Sequence, residues 1–273
     1  MTKAWLLALT LPLLAAAPAT AGQTLVICNV GGPGTTRQAQ PVLDKFLRHM
    51  ERSGALASGT FRGEYHTDLD SCLKYIEAHK PLLGVFDLAS YLAQQRALKL
   101  APLASMGKMG SQRYYLLVRK GSYKDLAALE GKQLISSHVR DPRFVSRIVL
   151  DGKVDADKHF KIKYSRRPLK GIRRVARKRA DATLVGKMAF DHLSELKLDV
   201  ELVPVYTSPP LPGLTLATLG TARQKRTITA AVKKALPRLC SGPGKKMCGT
   251  FQIEAFHRSK PAAYRRLVRK YRR

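Results

Sequence analysis

Apolar and polar positions along the chain fall into short blocks that alternate between strand-like and helix-like spacing. Gln23–Val30 (QTLVICNV) is an apolar, β-branched run, the mark of a buried strand. The loop Gly31-Gly32-Pro33-Gly34 follows it. Thr35 or Thr36 can cap a helix that runs to about Arg52, with Val42, Leu43, Phe46, Leu47 and Met50 at helical spacing. The same reading predicts a strand over Thr60–Tyr65, a helix over Asp68–His79 ended by Pro81, a strand over Leu82–Phe86, a helix over Leu88–Gln95 and a strand over Leu100–Ser105.

After a short glycine-containing segment, Met106–Gln112, a second series begins. Residues 114–139 read as a strand, a charged turn, a helix of one or two turns, a glycine stop and a second strand ending in Ser136, Ser137 and His138. Asp141-Pro142 precedes a helix from about Arg143 to Leu150. Phe160–Tyr164 reads as a strand, Leu169–Arg179 as a basic helix with Leu169, Ile172, Val175 and Ala176 on one face, and Ala182–Val185 as a buried strand. A helix over Met188–Leu196 and a strand over Val200–Tyr206 complete this series. The stiff segment Ser208-Pro209-Pro210-Leu211-Pro212-Gly213 then leads back to terminal helices over Thr221–Leu236 and Ile253–Tyr271. Strands alternating with helices predict parallel or mixed sheets covered by helices. The fold class is α/β, with two lobes joined by two crossing segments. One lobe comprises residues 22–108 plus 207–273 and the other residues 109–206. Ligands of open α/β sheets sit outside the carboxyl ends of the strands, so a cleft between the lobes is the expected site.

The N-terminus changes the picture of where this fold works. Lys3, an apolar run from Ala4 to Ala17 and Ala19-Thr20-Ala21 form a secretory signal peptide, with cleavage expected after Ala21. The apolar run falls short of the roughly 20 residues needed to span a bilayer. The mature chain of about 250 residues is long enough for two lobes of ordinary size. Export permits disulfides. Cys240 and Cys248 flank a Gly/Pro turn and are expected to pair, which leaves Cys28 to pair with Cys72. Neither a CxxC nor a paired-histidine spacing points to a metal.

The formal charge of +30, from 49 Lys and Arg against 19 Asp and Glu, attracts polyanions and anionic surfaces. Much of it sits in two segments. Arg166, Arg167, Lys170, Arg173, Arg174, Arg177, Lys178 and Arg179 form one, and Arg265, Arg266, Arg269, Lys270, Arg272 and Arg273 the other. Both are spaced as amphipathic helices whose basic face is expected to look outward into solvent, with polyanion binding as the functional alternative.

Five stretches in order carry a resemblance: VICNVGGPGTTRQAQP, KPLLGVFDLASYL, YYLLVRKGSYKDLAALEGKQLISSH, VARKRADATLVG and TSPPLPG. In this order they resemble type 2 periplasmic solute-binding proteins, and within these the phosphate/phosphite/phosphonate-binding branch that serves ABC importers. The resemblance implies an exported, monomeric receptor without a cofactor. It would close on a small anionic ligand and present both lobes to an ABC permease in the inner membrane. Members that bind aminophosphonates usually carry acidic residues where the second-lobe strand ends. Here that place reads Gly186-Lys187, which implies a ligand without an amine.

Candidate ligand contacts follow from the cleft. In the first lobe they are Asn29, Gly32, Gly34, Thr35 and Thr36, where glycines let backbone N–H groups approach an anion at a helix N-terminus. The alternative for this loop is an ordinary β–α turn with a Thr cap. Asp87 and Ser90 lie at the end of the third strand, and a helix cap is the competing role there. Tyr114 is at the start of the second lobe. Ser136, Ser137 and His138 offer hydroxyl and imidazole donors, unless they cap the helix after Pro142. Arg140 and Arg143 can add charge-assisted bonds to an oxyanion. Catalytic signatures are missing: the histidines are scattered with no HExxH, and there is no GxSxG elbow. The alternative function is a catalytically inert envelope protein of the same fold that binds polyanions or acidic surfaces.

Overall fold

A computed structural model describes residues 23–32, 34–54, 57–107, 110–220, 222–250 and 253–273. The expected leader, Pro33 and the expected lobe boundary between residues 108 and 109 lie outside them. In chain order the first part consists of β1 (Gln23–Cys28), α1 (Thr36–Gly54), β2 (Phe61–His66), α2 (Leu69–His79), β3 (Leu83–Phe86), α3 (Leu88–Gln94) and β4 (Ala101–Met106). The chain then builds β5 (Tyr114–Arg119), β6 (Gln133–Ser136), α4 (Pro142–Phe144), α5 (Ala156–His159), β7 (Lys161–Tyr164), α6 (Pro168–Ala176), β8 (Ala182–Gly186), α7 (Lys187–Asp191) and β9 (Leu202–Thr207). It ends with β10 (Thr215–Thr218), α8 (Ala222–Ala235), α9 (Gly244–Thr250), β11 (Phe256–Arg258) and α10 (Pro261–Arg272).

The strands form two mixed sheets, and each sheet with its helices is a lobe. The first has six strands in the order β11-β4-β10-β3-β1-β2, and the second has five in the order β7-β6-β8-β5-β9. In the first sheet β1 runs parallel to β2 and β3, while β10 is antiparallel to β3. In the second, β6 is parallel to β7 and β8, and β5 is antiparallel to β8 and β9. The carboxyl ends of β1 and β3 therefore share an edge with the start of β10, and those of β6, β7 and β8 share an edge with the start of β5. These two edges face one another.

The crossing segments hold them there. Gln112 N donates to Leu211 O (3.1 Å) and Leu211 N returns the bond to Gln112 O (2.9 Å). Beside this pair, Tyr114 N donates to Ser208 Oγ (2.9 Å) and Arg113 Nη1 to Ser208 O (3.1 Å). Helix α10 ties the lobes again. Its buried Tyr264 packs edge-on to Tyr91 and shares a hydrogen bond with Thr215 of the first lobe. One helix end later, Tyr271 donates to Asp141 of the second lobe (2.7 Å), and Arg147 Nη1 donates to the Tyr271 carbonyl (3.0 Å).

Several expectations change. β10, α5 and α9 are additions to the predicted elements. The terminal helix starts at Pro261, not Ile253, because Pro takes the first helical position and Phe256–Arg258 is used as an edge strand, with Phe256 stacked on Phe46. The helix expected near residue 127 is one 3-10 turn, Ala127–Leu129. The helix after Pro142 widens from α4 into a π-helical turn over Val145–Val149. Among the described residues no helix is long and apolar enough to cross a membrane.

Both disulfides form as expected. Cys28 at the end of β1 pairs with Cys72 in α2, and Cys240 pairs with Cys248 in α9, with sequence separations of 44 and 8. Loop-closure entropy grows with the length enclosed, so losing the longer bridge should cost about 4 kcal/mol and losing the shorter about 2.5 kcal/mol. Urea unfolding of the paired variants C28S/C72S and C240S/C248S checks this. An equal or larger loss for the second pair would contradict it.

Candidate functional site

The site is built from the loops that leave these facing edges. On the first lobe, the β1–α1 loop is held from below. Asp87, next after β3, caps α3 by accepting from Ser90 N (3.0 Å) and from Ser90 Oγ (2.7 Å). The same carboxylate accepts from Val30 N (3.2 Å), which fixes the loop over it. Burial pushes the Asp87 carboxyl upward, against the hydrogen bonds from Ser90 and Val30 that lower it.

At Gly31 and Gly32 the loop leaves no room for a side chain. A Cβ on Gly32 would lie 2.4 Å from the Tyr65 hydroxyl and 2.5 Å from Asn29 Nδ2, and Asn29 is hydrogen-bonded to that hydroxyl. Gly31 has φ +73°, and a Cβ there would lie 2.8 Å from Ser137 Oγ of the other lobe. The lobes thus touch through a glycine. Thr35 caps α1 in a reciprocal box with Gln38: Thr35 N donates to Gln38 Oε1 (3.0 Å) and Gln38 N to Thr35 Oγ1 (3.3 Å). This points the N-terminal end of a 19-residue helix into the cleft.

On the second lobe, Asp141 caps the helix after Pro142 by accepting from Phe144 N (3.0 Å). Ser137 and His138 are thereby released from capping. Ser137 is buried, and its Oγ has no hydrogen-bond partner among the described residues. His138 stands edge-on to Tyr114, with ring centroids 4.9 Å apart. Burial pulls its pKa down to about 4, so at neutral pH it is an uncharged imidazole with one N–H to donate. Tyr114 is itself buried between His138 and Phe144, and burial with the nearby Asp87 charge raises its hydroxyl. The β7–α6 loop brings Arg166 and Arg167 to the start of α6, and Arg166 O lies against Gly31.

These groups surround a cavity of about 950 Å³. Of the expected contacts, Asn29, Gly32, Gly34, Thr35, Asp87, Tyr114, Ser137 and His138 line it. Thr36, Ser90 and Ser136 do not. Thr36 Oγ1 donates to Tyr65 O (2.7 Å), Ser90 serves Asp87, and Ser136 Oγ donates to Leu184 O (2.5 Å) while accepting from His138 N. The two arginines weighed for the oxyanion also act elsewhere. Arg140 pairs with Asp70 (2.6 Å) and Asp68 (3.4 Å) across the lobes, and Arg143 lies over the Tyr271 ring.

The basic segment after residue 165 is largely solvent-exposed, as its spacing predicts, and its exposed face also borders the cleft, a placement the spacing does not give: Arg166, Arg167, Lys170, Arg173, Arg174, Arg177 and Arg179 all line the cavity. Among the described residues none of them is ion-paired with a carboxylate, and Asp87 is the cavity's one acidic residue. Gln112 and Met188 also line it without having been singled out. The C-terminal basic segment behaves as expected of an outer face: α10 buries Tyr264 and Tyr271 and exposes Arg265, Arg266 and Arg269.

The profile of the family described as "ABC transporter, phosphonate, periplasmic substrate-binding protein" matches residues 37–264. No curated protein matches the sequence. Among solved structures, a Xanthomonas citri protein bound to ATP superposes with a TM-score of 0.68 at 16% identity, over 92% of this chain and 96% of that one. PhnD1 of Prochlorococcus marinus in complex with methylphosphonate gives 0.67 at 14% identity, over 92% and 97%. A binding component of a Pseudomonas aeruginosa ABC phosphonate transporter gives 0.61 at 13% identity, over 87% and 82%. At these identities the likeness speaks to the fold, which is the two-lobe, type 2 periplasmic binding fold expected from the sequence. The family match spans most of the chain, and the chain therefore belongs to the phosphonate-type periplasmic substrate-binding proteins of ABC transporters.

Proposed function

We propose that the protein is an exported receptor that captures a phosphorus oxyanion between its lobes and delivers it to an ABC permease of the inner membrane. One observation supports this above the others. The cavity between the strand ends combines a glycine loop and helix N-terminus, a buried unpartnered Ser137 hydroxyl and seven unpaired cations with a single carboxylate that is already engaged. Such a lining selects for negative charge and against an amine. The solved relatives that hold methylphosphonate and ATP both carry a phosphorus oxyanion, which favours the same class here. Export rests on the leader, and material recovered outside the inner membrane should begin at Gly22.

In this reading Asn29, Gly32, Gly34 and Thr35 form the first-lobe cradle, and Ser137, His138 and Tyr114 the second. Calorimetric titration with phosphate, phosphite and methylphosphonate tests it. Saturable binding of at least one, with one site per chain, is expected. Silence with all three, together with salt-sensitive binding to heparin, would favour an envelope protein that holds polyanions.

Gly31→Ala should weaken the best of these ligands by at least roughly tenfold, about 1.4 kcal/mol, because its Cβ would lie 2.8 Å from Ser137 Oγ and drives Ser137 out of the cradle, while the left-handed φ lowers the stability of the free and the bound protein alike. An affinity within twofold of the parent would show that contact at Gly31 is not needed for closure.

A bound anion should raise the His138 pKa from about 4 by favouring the imidazolium. Protonation and binding are then linked, and affinity increases as pH falls from 7 toward 4. Methanesulfonate, which does not titrate there, reports this cleanly. Asp87, whose carboxyl is raised by burial, adds a slope of the same sign. His138→Asn should therefore flatten the profile in part, and identical profiles would rule out His138 as the titrating contact.

A further inference from the structure

We infer that the cleft's ligand is an organic polyphosphate, of the size of a nucleoside diphosphate, and not a lone oxyanion. This deepens the proposed phosphorus-oxyanion site and rests on it.

The first ground is size. Pockets that enclose drug-sized ligands measure roughly 300–1,000 Å³. At about 950 Å³ this cavity is at the top of that range, and a single phosphonate would occupy a small part of it.

The second is how charge is distributed. The cradle formed by the glycine loop, Ser137 and the start of α6 can hold one phosphoryl group. Helix α6 then continues along the wall, anchored on its own sheet by the buried Ile172 and Val175. That burial turns Arg173 and Arg177, one helical turn apart, toward the cavity. From Arg167 to Arg177 the wall runs about 15 Å at the helical rise. An anion held in the cradle cannot reach its far end. No carboxylate neutralises Arg173 or Arg177 among the described residues. The charge of a second phosphoryl group would relieve their mutual repulsion.

The third is the apolar surface placed beside those charges. Leu169 and Met188 are 46% and 41% exposed, two of the three large apolar side chains that stand exposed among the described residues, and both line this cavity. Exposed apolar side chains at the mouth of a cationic cleft suit a ligand with a flat or apolar organic part.

The test is calorimetry at about 0.15 M salt, where the Debye length is about 8 Å and diffuse attraction is screened. The probes are methylphosphonate, pyrophosphate and ADP. The inference expects ADP to bind at least about thirtyfold tighter than methylphosphonate, about 2 kcal/mol, with pyrophosphate between them. R173Q/R177Q should weaken ADP and pyrophosphate by tenfold or more, and methylphosphonate by less than about twofold. R265Q/R269Q, on the exposed face of α10, removes the same charge and should leave all three affinities unchanged. Both variants alter exposed positions, and an unchanged thermal midpoint confirms folding.

Methylphosphonate bound as tightly as ADP, or ADP affinity untouched by R173Q/R177Q, would overturn the inference and leave the receptor reading in place. Equal losses in the two double variants would overturn it by showing that the overall field does the binding. Silence with all three probes would remove both the inference and the reading beneath it.

Discussion

The mutual hydrogen bonds of Gln112 and Leu211 are the constraint on which the cleft depends. A chain that leaves one sheet, builds another and returns must cross between them twice, and nothing in either sheet alone sets how the two face each other. Pairing the crossings fixes it. Tyr114, at the start of β5, follows directly from one crossing, and Thr215, at the start of β10, from the other. Because β5 is antiparallel to β8, and β10 to β3, both starts lie beside carboxyl ends of parallel strands. The loops after β1, β3, β6, β7 and β8 are thereby brought to a common space. Short crossings of this kind absorb hinge rotation through a few residues while the sheets stay rigid.

The charge imbalance shapes the rest. With 19 acidic residues against 49 basic ones, carboxylates are scarce, and the structure places them where a backbone N–H needs an acceptor. Asp68, Asp87, Asp141 and Asp155 each cap a helix. Glu51 accepts from Gly59 N and Phe61 N, and Asp181 accepts from Gln133 N and the Tyr123 hydroxyl. Few acids remain to pair with arginines, so cations accumulate on helix faces. On α10 that face looks into solvent. On α6 it looks into the cleft, and there the same excess becomes a binding wall.

Much of this was legible in the sequence, and the failures have physical causes. Apolar runs and glycine stops located most strands, since a strand buried on both faces needs an unbroken apolar block. The turn around Cys240 and Cys248 signalled that bridge, and the other followed by elimination. Thr215–Thr218 escaped because a four-residue stretch, Thr-Leu-Ala-Thr, between a Pro-Gly corner and Gly220 is too short to show a period of its own, although all four are buried. Pro261 did mark the start of the last helix, and the helical spacing on either side of it masked that mark. Amphipathic spacing identified the buried face of α6 correctly through Ile172 and Val175. It could not say what the opposite face meets, because spacing orients a helix on its own sheet and is silent about a second lobe. Ser136 and Ser137 divide for a similar reason: the last strand residue turns its hydroxyl onto Leu184 O, and only the next one reaches the cleft edge.

Besides the paired crossings and α10, two contacts among the described residues join the lobes across the cleft, and they differ in kind. Arg140 reaches Asp68 and Asp70, but this pair is open to solvent, and screening leaves exposed ion pairs little net effect. Gly31 packs on Ser137 and Arg166 O with no side chain between them. Close packing falls off steeply with separation, so it holds position far better than a screened charge. The glycine contact therefore sets how near the two cradles approach, and Arg140 adds only a direction to that approach. A ligand has to match the gap that this contact leaves. Along α6 no such contact limits the width, so the cradle defines where one phosphoryl group sits and the arginine wall defines how much farther the bound molecule extends.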